Sequence, residues 1–477
     1  MLGSQIASGL RWPSNRSKVL RSVGARSARS RCWQLPHISR KLLPSAVARK
    51  GAFRHFASGD AHMHTTGTCV ARLAISMSLS ATLMAAAASN LFAQQADPPP
   101  PWKQGQPASV ANSKLAPVAP PPLPTPADKL PIDKLHLKAG FKLEVYAAGV
   151  PNARTLRLGD KGSVFVSSRL QDKVHAIVTK NGKREVKVVA SGLYRPNGIA
   201  LHKGTLYIAE LSQISKIDNI EDNLDNPPKP TVILSDLPKD EPHGWKYLTV
   251  GPDEKLYFQI GVPCNICLPS ERHGKIYRVG LDGQGLEVYA SGIRQIVGMD
   301  WHPKLKQLYF SENSRDWLSE DVPEDKLNRV TQPGKDNFGY PYCHQGNFAD
   351  PEFGWGRSCS EFTKPVALLG PHSAALGLKF YTGNGLGNEY RNVIFLARHG
   401  SWNRSVKFGG DVVVIKLHDD GTFRSMEPFV TGFIQNNNYV GRPVDVLPMK
   451  DGSLLISDDY NGAVYRVSRT GGRVATK

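Results

Sequence analysis

The sequence predicts an all-β protein: a six-bladed β-propeller with four-stranded antiparallel blades. Three observations lead there. One pattern recurs six times: a few apolar residues, a Gly, Asp or Pro turn, then a β-rich run ending in a small or acidic residue. The copies stand about 57 residues apart, enough for four short strands with their loops. No stretch of helical length keeps a helical period. A two-sheet sandwich would accommodate the strands but not the repeat.

The copies follow in chain order. They are Leu158–Ser167, Gly198–Glu210, Leu248–Phe258, Gly298–Glu312, the looser Leu376–Ala397, and Val444–Asp458. Each reads as a hairpin with a tight turn and a returning strand of Val, Ile, Leu, Tyr or Phe. Further strands follow in places, as in Gly274–Val279 and Gly462–Val467. The longest interval, Trp317–Pro371, contains Cys343 and Cys359 and reads as a stapled loop excursion over one face.

Composition narrows the class. With 477 residues and 40% hydrophobic content, the chain is neither disordered nor a disulfide-stapled miniprotein. Its formal charge of +19 is concentrated at the start: residues 1–93 hold thirteen Lys and Arg against a single acid, Asp60. The remainder has only a mild basic bias, which does not suit a nucleic-acid binder. Residues 1–62 read as an upstream extension or targeting segment, and residues 63–93 as a signal peptide with an uncharged run from Leu73 to Phe92. A retained membrane anchor is the competing reading of that run; the many Ser, Thr and Ala weaken it. Cleavage is expected to leave a mature start between Ser89 and Gln95, in a periplasmic or secreted protein with no stable membrane insertion. Residues 94–131 hold twelve prolines and read as an extended linker. The propeller is expected over 132–470.

Four cysteines follow the signal segment: Cys264, Cys267, Cys343 and Cys359. In an oxidising compartment they allow three pairings, of which 264–267 with 343–359 is favoured. Cys264-Asn-Ile-Cys267 also matches half a zinc site or a redox dithiol, but no second such motif and no thioredoxin-like pattern accompanies it.

Propeller loops converge at the channel mouth, so the turn residues are the candidates for chemistry. His243, Arg294 and Arg442 recur at one phase of the repeat, which aims them at one axis. Arg and His gathered on an axis suit an anionic ligand. The run Arg398–Arg404 follows the fifth copy, and the acidic loop Ser311–Asp321 offers oxygens of the kind Ca²⁺ takes. Each has a bland reading as well: a structural histidine, salt-bridged arginines, a solvated loop.

Taken together, His243-Gly-Trp-Lys-Tyr-Leu-Thr-Val-Gly-Pro-Asp, Gly292-Ile-Arg-Gln, Glu312-Asn-Ser-Arg-Asp, Asn337-Phe-Gly-Tyr-Pro, His399-Gly-Ser-Trp-Asn-Arg and Arg442-Pro-Val-Asp-Val resemble the glucose/sorbosone dehydrogenase family, nearest its sorbosone branch. The resemblance spans Leu135 to Arg469. It implies an exported six-bladed propeller using pyrroloquinoline quinone (PQQ) and Ca²⁺ to oxidise a sugar or sugar aldehyde, with an external electron acceptor such as a cytochrome or quinone. It implies that His243 is the general base, that Arg294 faces the quinone oxygen, and that Gln295 stands where relatives carry Asn. It assigns Arg398, His399, Asn403 and Arg442 to the cofactor, although the glucose enzymes use a Lys near the first two. Ser314 and Arg315 fall where relatives offer main-chain oxygens to Ca²⁺. Two other readings remain beside this one: a Ca²⁺-dependent sugar lactonase on the same fold, and a non-catalytic propeller that binds a partner.

Overall fold

Pairs of strands joined by tight turns build every sheet of the molecule, described over residues 99–471 by a computed structural model. The expected leader and signal segments lie outside the described residues. Six sheets form the blades in chain order. The first comprises Ala153–Leu158, Val164–Ser168, Lys173–Lys180 and Lys183–Ser191, and the second Gly198–His202, Thr205–Ala209, Ile214–Ile217 and Thr231–Leu234. The third and fourth begin at Leu248 and Ile296, the fifth at Ala375 and the sixth at Pro443. All pairings between neighbouring strands of a blade are antiparallel, as in Val164↔Ile177 and Phe258↔Tyr277. This is the six-bladed propeller that the repeat predicts. Helix among the described residues is limited to single 3₁₀ turns of three residues.

The core lies between blades. Side chains alternate along a strand, so each blade offers one apolar set to each neighbour. In the first blade Val164 and Val166 pack with Leu447 and Leu455 of the sixth, while Phe165 packs with Ile199 and Ile208 of the second. Strands covered on both faces are therefore apolar along their whole length, as in Val164-Phe165-Val166, all fully buried. Innermost strands come close around the axis: a Cβ on Gly298 would stand 2.1 Å from Leu376 O.

The ring closes by borrowing. The outermost strand of the sixth blade is Phe141–Ala148, from the start of the domain, paired with Ala463–Arg469 in register Leu143↔Val467. His136–Leu137 likewise extends the fifth blade. The interval Trp317–Pro371 is less simple than a single excursion, because the fourth blade's third strand, Glu324–Arg329, runs through it. Both disulfides form as the favoured pairing has them, Cys264–Cys267 and Cys343–Cys359.

The proline-rich stretch does more than link. At several points it is bonded to the propeller, as where Thr125 bonds Asn461 through its main chain (2.9 Å) and side chain (2.8 Å).

Candidate active site

The acid that ends a repeat has a structural task. Glu210, Glu312 and Asp458 close the second strands of blades two, four and six. Each accepts the backbone N–H of the loop entering its own blade: Tyr194 at 2.6 Å, Arg294 at 3.0 Å and Arg442 at 2.9 Å. Charge-assisted bonds of this kind pin the loop backbone. Arg294 and Arg442 thereby hold their shared phase and both line one cavity of about 470 Å³.

His243 joins them there, buried between the second and third blades. Its Nδ1 lies 2.8 Å from Val262 O. A carbonyl can only accept, so Nδ1 carries the proton and Nε2 keeps its lone pair. Burial first, and then the Arg294 cation, hold this imidazole well below the usual histidine range. It is a neutral base.

Arg294 is held on nearly every side. Nε and Nη2 donate to the main-chain and side-chain oxygens of Asn265, both at 2.9 Å, and Nη2 also meets Asp316 at 2.7 Å. Gln295 is the opposite case: it is buried, it lines the cavity, and neither end of its amide has a partner among the described residues. Gly261 lets these groups converge, since a Cβ there would stand 2.3 Å from Gln295 Oε1 and 2.5 Å from His243 O.

Across the cavity, Asp459 gathers three cationic or protonatable groups. Arg154 reaches it at 2.9 Å, His399 Nε2 at 3.0 Å and Arg442 at 3.2 Å. Burial alone would raise this carboxyl, but Arg442, His399 and Arg154 hold it well below the usual range. His399 itself is pushed down to about 4 by burial, against the pull of Asp459. Asn403 lines the cavity, donates to Asp316 at 3.0 Å, and leaves its buried Oδ1 unpartnered. Ser314 also lines it, with N–H bonded to Asp325 (2.9 Å) and hydroxyl to Glu324 O (2.7 Å).

One expected cofactor residue points elsewhere. Arg398 is engaged by Asp411 through Nε (2.7 Å) and Nη2 (2.5 Å), with Leu369 O at 3.1 Å, and it does not line the cavity. Its cross-strand register with Asp411 decides this, because a bidentate pair in one sheet outcompetes a reach toward the axis. Arg315 is likewise held by Asp350 (2.7 Å) and Glu352 (2.8 Å), so its side chain takes no part. Any metal contact from this loop would fall to main-chain oxygens of Ser314 and Arg315. Among the described residues, no three His, Cys, Asp or Glu gather as a metal cluster.

Other residues emerge only in three dimensions. Arg154 and Arg169 line the cavity over the Trp245 ring, 5.2 and 3.5 Å from its centroid. Arg169 forms no ion pair among the described residues, and its buried Nε has no partner. Burial, and next the Arg154 cation, push it well below the usual arginine range. Trp245 lies in the His243 motif and was available to sequence reasoning by proximity; Arg154 and Arg169 carried no such signal.

Comparison with known proteins places this geometry. An uncharacterized protein of Borreliella burgdorferi is 31% identical over 349 residues, 70% of this chain and 90% of that protein. A pyrroloquinoline quinone-dependent pyranose dehydrogenase of Coprinopsis cinerea is 29% identical over 173 residues, 32% of this chain but only 22% of that protein. Among solved structures, the holo PQQ domain of the Coprinopsis cinerea pyranose dehydrogenase superposes with a TM-score of 0.61 at 20% identity, covering 74% of this chain and all of that one. A calcium structure of a Trichoderma reesei family AA12 enzyme gives 0.61 at 17%, covering 70% and 97%. At these identities the superpositions speak for the fold. The family model described as TrAA12-like matches residues 135–470, most of the chain and the whole propeller, and the chain belongs to that family.

Proposed function

We propose that this protein is an exported PQQ-dependent dehydrogenase that oxidises a sugar or sugar aldehyde. One observation carries the reading: a neutral, buried histidine whose Nδ1 is engaged by Val262 O shares a cavity with four arginines, Arg154, Arg169, Arg294 and Arg442. PQQ bears three carboxylates and an ortho-quinone. Arg154, Arg169 and Arg442 suit the carboxylates, the unpartnered donors Gln295 Nε2 and Arg154 Nη2 suit its remaining oxygens, and the unpartnered acceptor Asn403 Oδ1 suits its pyrrole N–H. The residues fit the group. The PQQ-dependent relatives support the same reading.

When bound, the quinone supplies a two-electron acceptor for the hydrogen leaving the sugar carbon. The protein does the rest. His243 Nε2 takes the hydroxyl proton as the C–H bond breaks and the C=O bond forms. Val262 holds the ring in the tautomer that leaves Nε2 free. Arg294, fixed by Asn265 and Asp316, stabilises negative charge at the acceptor oxygen without having to move. Ca²⁺ belongs to the proposal through main-chain oxygens of Ser314 and Arg315. The acceptor that reoxidises the cofactor would be an external cytochrome or quinone. A lactonase would need several carboxylates free to bind a metal; here Asp316 and Asp459 are taken up by Arg294, Arg154 and Arg442, and the same arginines suit a redox cofactor with carboxylates better.

The test is direct. Purified protein is titrated with PQQ and Ca²⁺, and the quinone absorbance is followed on adding aldoses or sorbosone. Reduction by any of them supports the proposal; saturable PQQ binding without reduction by any sugar or aldehyde, or no binding, would refute it.

A further inference from the structure

Five residues of the proline-rich segment line the same cavity as His243 and Arg294: Pro101, Trp102, Pro117, Val118 and Pro120. All lie before residue 135, outside the stretch that the family model matches. The segment is seated by specific bonds. Trp317 Nε1 donates to Trp102 O, and Arg442 Nη1 donates to Val118 O. Gln104 clamps Asn265 twice, accepting from its N–H through Oε1 and from its Nδ2 through the main-chain O, both at 2.9 Å. Asn265 in turn holds Arg294.

The chemistry of the segment suits this position. Two 3₁₀ turns, Pro101–Lys103 and Ala108–Val110, interrupt the segment and use carbonyls such as those of Pro100 and Pro107, whereas the carbonyls of Trp102 and Val118 accept no bond from within the segment and are left for Trp317 and Arg442. Proline also brings no N–H to be stranded against a ligand cavity.

We propose that Pro101–Pro120 is a wall of the active site, which limits the substrate to a single sugar ring and positions both Arg294 and Arg442. The substrate part rests on the function proposed above. A cavity of about 470 Å³ that also takes a tricyclic cofactor leaves room for one ring beside it, with Trp102 and Val118 as its apolar boundary. Removing that boundary opens space for a second ring.

The test uses the full chain with residues 99–120 replaced by a Gly/Ser stretch of equal length, and separately the milder Trp102→Ala/Gln104→Ala double variant. Three readouts are taken. In the apo protein, hydrogen exchange at Asn265 is expected to speed up in both variants, because its N–H loses the Gln104 acceptor. PQQ uptake followed by absorbance is expected to quicken by about tenfold, within the usual range of association-rate changes. The preference in kcat/KM for glucose over cellobiose is expected to fall by about tenfold or more, a typical pocket-wall effect. Unchanged exchange at Asn265 would overturn the seating of the wall. Faster exchange with unchanged uptake and unchanged sugar preference would overturn its role in the site. A parent chain that takes up no PQQ would instead overturn the dehydrogenase reading and the substrate limit that rests on it, while the exchange data would still decide the seating.

Discussion

Asn265, enclosed by the Cys264–Cys267 bridge, accepts from Arg294 with both of its oxygens, each at 2.9 Å. The disulfide loop is thus a clamp for an arginine of the cavity. Asn265→Ala removes the side-chain oxygen that Arg294 Nη2 and Asp316 N–H share, and deprives Asp316 O and Gln104 O of a donor. Loss of partners to a buried charged group costs about 1–3 kcal/mol. Turnover should therefore fall by about tenfold or more while the unfolding transition stays cooperative. Reducing the bridge should act in the same direction. Steady-state kinetics beside thermal melts would check both.

His243→Ala should retain PQQ binding and lose about 10²–10⁴-fold in kcat, the usual contribution of a positioned base. Because burial and Arg294 hold His243 well below 6.5, it stays unprotonated as pH drops through neutrality. The kcat/KM profile of the parent should then be flat near pH 7, with its acid limb displaced below 6.5. An acid limb centred at an ordinary histidine value would contradict the assignment.

Gly261→Ala should disturb the site more than the fold. The new methyl would meet Gln295 Oε1 at 2.3 Å and the His243 main chain and Cβ at 2.5 and 2.8 Å. Both residues must move, and turnover should drop by about 10²-fold, as small misplacements of reacting groups do. Comparison of PQQ affinity with kcat separates the two shifts.

Arg398→Ala should damage stability rather than cofactor binding. It strands Asp411, one half of a largely buried bidentate pair. Breaking such a pair costs about 3–5 kcal/mol. A lowered melting temperature with PQQ affinity near that of the parent is the expected outcome; a selective loss of affinity would return Arg398 to the cavity.

Acid should weaken the fold through two histidines. Burial pushes His175 and His399 down to about 4 from 6.5, with Lys173 adding to the effect at His175 and Asp459 opposing it at His399. The unfolded chain binds more protons between those values, so stability is full above pH 6.5 and falls as pH drops toward 4. Each group contributes about 3 kcal/mol to that loss. His175→Gln should flatten the dependence by about one proton, measured as the slope of unfolding free energy against pH.

The blades were legible in the sequence because a blade is a local object. Hairpin turns, short apolar runs and, in several copies, a closing acid all sit within one repeat, so six copies announce six sheets. Phase carried further: His243, Arg294 and Arg442 share a repeat position, and the acids that pin Arg294 and Arg442 lie within the same copies. The cysteine pairing followed from spacing and an even count.

What phase could not decide was which arginines reach the axis. Arg398 and Arg154 are alike as residues, but Arg398 faces Asp411 in cross-strand register, while Arg154 finds Asp459, 305 positions away, only once the ring has closed. The proline-rich segment shows the same limit. Its composition predicts an extended chain, but the 3₁₀ turns it forms, and which of its remaining carbonyls meet donors, depend on where Trp317 and Arg442 stand after six blades have packed around one axis. Local pattern determined the units; long-range closure determined the cavity.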